Sequence, residues 1–234
     1  IKYGVNCFFN HTCMRRTRPS SHCEHLQSLD LRELGESRCV RVLKEDPRIC
    51  AVAEMLEQAE VEHLKSLIVH RSFEETESTR TLQMLLPQET QVVARLEQLL
   101  AWLAQVPESH LCPLRIVEPS LCLGLSNRGV GDKAAYVCLS SREEVVFPGA
   151  GLRVLLRAGD VLQWSNVALD GATPEDDSRT LRMHLKPHHS SRLLGIDAFM
   201  LDHAIRENQK MRIFKPDFPA PVASTELSKN LRKK

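Results

Sequence analysis

Apolar residues recur at helical spacing in two stretches of the N-terminal half and in short, broken runs thereafter. From Asp46-Pro47, a helix-entry signature, Val52, Met55, Leu56, Ala59, His63, Leu64, Leu67 and Ile68 step by threes and fours and predict a first helix. Val92, Val93, Leu96, Leu99, Leu100 and Leu103 form a second stripe, and Pro107 lies just past its end. The polar stretch 71–81 (RSFEETESTRT) between them reads as loop. Strand-like runs then cover 114–117, 134–139, 152–156, 161–164, 180–185 and 193–199, separated by Gly, Pro, Asp and Ser. Leading helices followed by many short strands predict an α+β domain whose strands form a sandwich or barrel.

The flanks read differently. Residues 1–46 lack sustained periodicity and are expected to be a Cys-rich extension or linker. Residues 202–234 return to helical polarity, break at Pro216, Pro219 and Pro221, and end in Lys229, Arg232, Lys233 and Lys234. A helix followed by a solvated basic tail is the expectation there.

Composition changes this picture only at the cysteines. With 42% hydrophobic and 26% charged residues and a net charge of +1, the chain is ordinary globular protein with no global pull toward nucleic acid. No apolar run approaches the ~20 residues that span a bilayer. Eight cysteines is a high count, and Cys7, Cys13, Cys23, Cys39 and Cys50 crowd the first fifty residues. Together with the sequon Asn10-His11-Thr12, this predicts disulfides in an oxidising compartment, the secretory pathway and the endoplasmic reticulum lumen in particular. A zinc site drawing on His11, His22 and His25 is the rival reading, weakened by the lack of a Cys-x-x-Cys pair. The chain opens on Ile1, which suggests a fragment or a processed chain. Whether a signal or anchor precedes it is open.

Two neighbouring segments are more specific. Residues 146–154 (VFPGAGLRV) and 157–164 (RAGDVLQW) resemble the core of prolyl 4-hydroxylases of the procollagen type, where a "TVFP" segment leads into "P-x-x-G-x-A-x-x-W". Asp177-Ser178-Arg179-Thr180-Leu181 is similar to the strand that presents that family's distal iron ligand. Pro47-Arg48-Ile49 with Met55-Leu56 and His63-Leu64 resembles the helix opening its catalytic domain. The resemblance implies a double-stranded β-helix (jelly-roll) core preceded by two or more packing helices over residues 47–201. It also implies 2-oxoglutarate- and Fe(II)-dependent dioxygenase chemistry, with ascorbate as reductant.

That chemistry needs a His-x-Asp pair and a distant His on one face of the metal. Alternate strand residues point the same way, which is why the pair is spaced by two. The interval 118–132, where the resemblance would put the pair, holds no histidine, and its one aspartate, Asp132, follows Val130 by two. The distal position is taken by Arg182. His184, two residues on, is a substitute only if the register slips. Arg192 follows Arg182 by ten, the spacing that the resemblance implies for the basic residue holding 2-oxoglutarate. Arg192 is therefore a candidate cosubstrate clamp, or else a surface residue at a strand start. A cluster of His184, His188 and His189 lacks a nearby carboxylate in sequence, and Pro187-His188-His189 reads as a solvated turn. Two inward guanidiniums at 182 and 192 would require either acidic partners or a bound anion.

The leading expectation is a prolyl 4-hydroxylase-like domain that no longer hydroxylates and acts by binding a proline-rich chain or a homologous hydroxylase subunit. The alternative is an active procollagen-type prolyl 4-dioxygenase with rearranged metal ligands, or one whose His-x-Asp segment is missing from an incomplete sequence.

Overall fold

A computed structural model describes residues 26–34, 37–68, 74–75, 80–118, 132–166, 178–180, 182–185 and 193–206. Its strands are β1 (Gln27–Asp30), β2 (Val40–Lys44), β3 (Ile49–Val52), β4 (Glu74–Glu75), β5 (Arg80–Met84) and β6 (Arg115–Glu118). They continue through β7 (Lys133–Cys138), β8 (Glu143–Phe147), β9 (Leu152–Leu156), β10 (Val161–Ser165), β11 (Met183–Leu185) and β12 (Gly195–Met200). Two helices, α1 (Gln58–Ser66) and α2 (Gln91–Ala104), accompany them.

The strands form two sheets. The larger runs β2-β3-β10-β7-β12-β6-β5-β4, and the smaller runs β1-β9-β8-β11. Pairing is antiparallel except for β1, which adds to β9 in parallel. Two apolar cores follow from strand alternation. Ala134, Tyr136, Leu162, Trp164 and Phe199 of the large sheet face Val145, Phe147, Leu152 and Val154 of the small one. Ala135, Val137, Val161, Ile196 and Ala198 face the other way, onto Val61 and Leu64 of α1 and Val93, Leu96, Leu99 and Leu100 of α2. The central strands are thus buried on both faces, and residues of β7 and β12 alternate between the cores.

The first helix is shorter than its periodicity suggests. Residues 49–52 form β3, buried at every position, and the helix begins only at Gln58. A buried strand, a turn and a helix in succession happen to keep apolar residues at three- and four-residue steps. The second helix matches expectation closely. Thr90 caps it, its side chain accepting from Val93 N at 3.2 Å, and Gln105 ends it in the left-handed region at φ 55°. The polar stretch 71–81, expected as loop, includes β4 and the start of β5. β4 is the edge strand of the large sheet, where polar sequence is tolerated, and β5 lies next to it.

The boundaries also move. β1 and β2 come from the segment expected to be an extension, so the sheets begin at residue 27 rather than 47. Beyond residue 201, Ile205 N and Arg206 N donate to Ser109 O at 2.8 and 3.0 Å. Arg206 Nη2 also meets the buried Glu97 carboxylate of α2 at 2.9 Å. This described part, 201–206, is irregular rather than helical. Residues 1–25 and 207–234 lie outside the described residues, with Cys7, Cys13, Cys23 and the sequon. Cys50 and Cys138 carry buried free thiols, and no disulfide occurs among the described residues.

The 157–164 motif has a structural explanation. Gly159 turns at φ +89°, and a Cβ there would stand 2.5 Å from Leu56 O, so only glycine fits. Asp160, fully buried, accepts from Arg157 N and Glu54 N, both at 2.9 Å, and pairs with Arg32 at 3.0 Å. The motif therefore joins β9, β10 and the chain entering α1.

Candidate functional site

Alternation on four strands brings a polar cluster into the space between the sheets. β7 turns Tyr136 and Cys138 inward, and β12 sets Asp197 directly opposite Tyr136. From the small sheet, β8 contributes Glu143, two residues before Val145. β11 sets His184 opposite Val145, and Arg182 precedes β11 on the same face. Gly195 makes room for this arrangement: a Cβ there would lie 2.3 Å from the Tyr136 ring.

Glu143 is the hub. It is fully buried, and its Oε2 accepts from Tyr136 Oη at 2.9 Å and Cys138 Sγ at 3.6 Å. Its Oε1 lies 2.7 Å from His184 Nδ1. Burial, reinforced by the Glu143 charge, holds both the Tyr136 hydroxyl and the Cys138 thiol well above their ordinary pKa values. Both therefore remain proton donors toward the carboxylate. The His184 ring meets Tyr136 edge-on, with centroids 4.6 Å apart.

Arg182 is the second anchor. Its Nη2 donates to Asp197 Oδ1 across the sheets. Its guanidinium carbon sits 4.7 Å from the Trp164 ring centroid and 5.1 Å from that of Tyr136. Trp164 is itself fixed by Nε1 donating to Asn166 Oδ1 at 2.8 Å, and it packs edge-on against Phe147. Two polar atoms in this cluster are buried without a hydrogen-bond partner, Arg182 Nη1 and His184 Nε2.

Of the residues singled out in sequence, the fold brings Arg182 and His184 together on one face. Arg192, His188 and His189 lie outside the described residues, as does most of 118–132. Asp197 supplies the acidic partner that an inward Arg182 demands. A carboxylate for His184, which its local sequence does not offer, comes from Glu143, 41 residues upstream. Sequence reading missed Glu143, Tyr136 and Cys138 as site residues. The one available signal was the alternation Glu143, Val145, Phe147, which turns a carboxylate toward the core.

Iron does not fit these residues. Arg182, which the sequence resemblance sets at the distal position, is a permanently charged guanidinium already committed to Asp197 and two rings. Among the described residues no group of three or more His, Cys, Asp or Glu side chains could hold a metal ion.

No family model matches the chain, and no curated protein matches it by sequence. Solved structures do. The viral collagen prolyl hydroxylase of Paramecium Bursaria Chlorella virus-1, in its 2OG complex, superposes with a TM-score of 0.50 at 11% identity. The match covers 64% of this chain and 93% of that one. A 2OG-Fe(II) oxygenase family oxidoreductase from Burkholderia pseudomallei gives 0.44 at 8% identity, covering 67% and 85%. HygX from Streptomyces hygroscopicus, with nickel, 2-oxoglutarate and hygromycin B bound, gives 0.42 at 16%, covering 66% and 83%. The two facing sheets and their helices are those of a jelly roll, a fold shared with the viral collagen prolyl hydroxylase.

Proposed function

We propose that this chain is a non-hydroxylating member of the prolyl hydroxylase-like group, acting by binding a proline-rich polypeptide or a homologous hydroxylase subunit. One observation carries the reading. The position that the sequence resemblance gives to the distal iron ligand holds Arg182, buried, paired with Asp197 and packed on Tyr136 and Trp164. A fixed cation there opposes a second, divalent one. The likeness of residues 146–164 to the prolyl hydroxylase core, and the structural likeness to a collagen prolyl hydroxylase, supply the partner class. The cysteine cluster and sequon supply the compartment, the endoplasmic reticulum lumen.

The test is anaerobic titration with Fe(II) and 2-oxoglutarate, followed by assay of succinate release with a proline-rich peptide. The expected result is no stoichiometric metal and no succinate, while the peptide binds by calorimetry. Stoichiometric Fe(II) that is lost in His184→Ala would overturn the reading in favour of an active enzyme with rearranged ligands.

A further inference from the structure

Glu97 is out of character with its surroundings on helix α2. Its neighbours on the buried face are Val93, Leu96, Leu99 and Leu100, and its own side chain is as fully buried as theirs. Those residues line the outer core, across the large sheet from Tyr136 and Trp164. A carboxylate in such a place needs partners, and two segments remote from each other in sequence supply them. From the C-terminal strap, residues 201–206, Arg206 Nη2 approaches Glu97 Oε1 at 2.9 Å. From the loop between β5 and α2, Gln88 N donates to Glu97 Oε2 at 3.3 Å.

Both attachments are imperfect. Glu97 Oε1, Arg206 Nη1 and Arg206 Nε are buried without a hydrogen-bond partner, so charge rather than a directed hydrogen bond holds the pair. A buried ion pair offsets its own desolvation only when its remaining donors and acceptors are satisfied. On the other arm, Gln88 is a non-glycine residue in the left-handed region at φ 56°, a conformation that persists only while its surroundings hold it. Ile205 N and Arg206 N share a single acceptor, Ser109 O, and Arg206 Nη2 also donates to Cys112 O at 3.1 Å. Residues 202–205 of the strap are exposed.

We propose that the β5–α2 loop and the C-terminal strap dock on Glu97 as one cooperative unit, which opens while both cores stay folded. Undocking Arg206 strips the Glu97 charge of its counter-charge, and the carboxylate turns toward water and drops the Gln88 N–H. In reverse, opening the loop at Gln88 admits water to the carboxylate and weakens its attraction to Arg206. Whatever displaces the strap is therefore felt at the loop that presents Leu86, 69% exposed. This coupling goes beyond the proposed binding function and does not depend on it.

The test is residue-resolved hydrogen exchange of the wild-type chain under native conditions, repeated over a series of low denaturant concentrations. The amides of Ile205, Arg206 and Gln88 should open with one free energy and one denaturant dependence, and roughly tenfold or more faster than the amides of β7. In Arg206→Met, exchange at Gln88 should quicken roughly tenfold, although the substitution lies in the strap. Glu97→Met/Arg206→Met should restore protection at Ile205 but not at Gln88, whose acceptor is gone. Different denaturant dependences for Ile205 and Gln88 in the wild type would overturn the proposal. So would opening of all three only together with β7, or unchanged exchange at Gln88 in Arg206→Met. The wild-type series decides even where a variant does not fold.

Discussion

Arg182 and Asp197 are each nearly closed off from water, and each is the other's counter-charge across the two sheets. Truncating one member of such a pair strands the other, at a cost of about 3–5 kcal/mol. Asp197→Ala should therefore lower stability by that amount in urea denaturation. Arg182→Met/Asp197→Leu should recover most of the loss, because well-packed apolar replacements dispense with the desolvation of both charges. A single variant within about 0.5 kcal/mol of wild type would mean that the pair is solvated. Arg182 and His184 were legible in the sequence because they follow a recognisable local motif. Their partners were not, because which carboxylate meets a guanidinium is decided by sheet register. Asp197 lies on the strand that β7 selects, and Glu143 sits 41 residues from His184.

At the scale of elements, β7 (KAAYVC) carries both protonated donors to Glu143. Tyr136 and Cys138 are held above their ordinary values of 10.0 and 9.0, first by burial and then by the Glu143 charge. An acid whose folded-state pKa exceeds its unfolded one keeps its proton longer in the native state. The stability it contributes is whole below the unfolded pKa and drains as pH rises above it. Stability should thus fall from about pH 9, where Cys138 contributes, and more steeply above about pH 10, where Tyr136 joins it, by ~1.4 kcal/mol per pH unit for each group. Tyr136→Phe should make that slope shallower, and identical slopes from urea midpoints would contradict this. The elements themselves were unevenly legible. Helix α2 has one clean stripe and a cap, and β9 has strict alternation between turns. By contrast, β3 is buried at all four positions, so no alternation separates it from a helix, and its apolar residues ran into those of α1. β4 hides for the opposite reason, since an edge strand can be polar.

For the whole molecule, the large sheet is shared by two cores, one against the small sheet and one against the helices. The two tryptophans divide between them: Trp164 lies in the inner core and Trp102 of α2 against the outer one. Because β7, β10 and β12 serve both, neither core can come apart while the other stays intact. Trp102→Phe and Trp164→Phe, each leaving a single reporter, should give coincident fluorescence unfolding curves that also match far-UV circular dichroism. Separated midpoints would divide the cores into independent units. The strand at the margin of this assembly has a different fate. β1 is among the first described residues to be synthesised, yet Gln27 is in register with Leu152 and Asp30 with Leu155. Its pairing closes a loop over most of the domain and gains little until β8 and β9 exist as a hairpin. On a ribosome, that strand waits unpaired until the β8–β9 hairpin has been made, so the small sheet seats its oldest strand only against newly made ones.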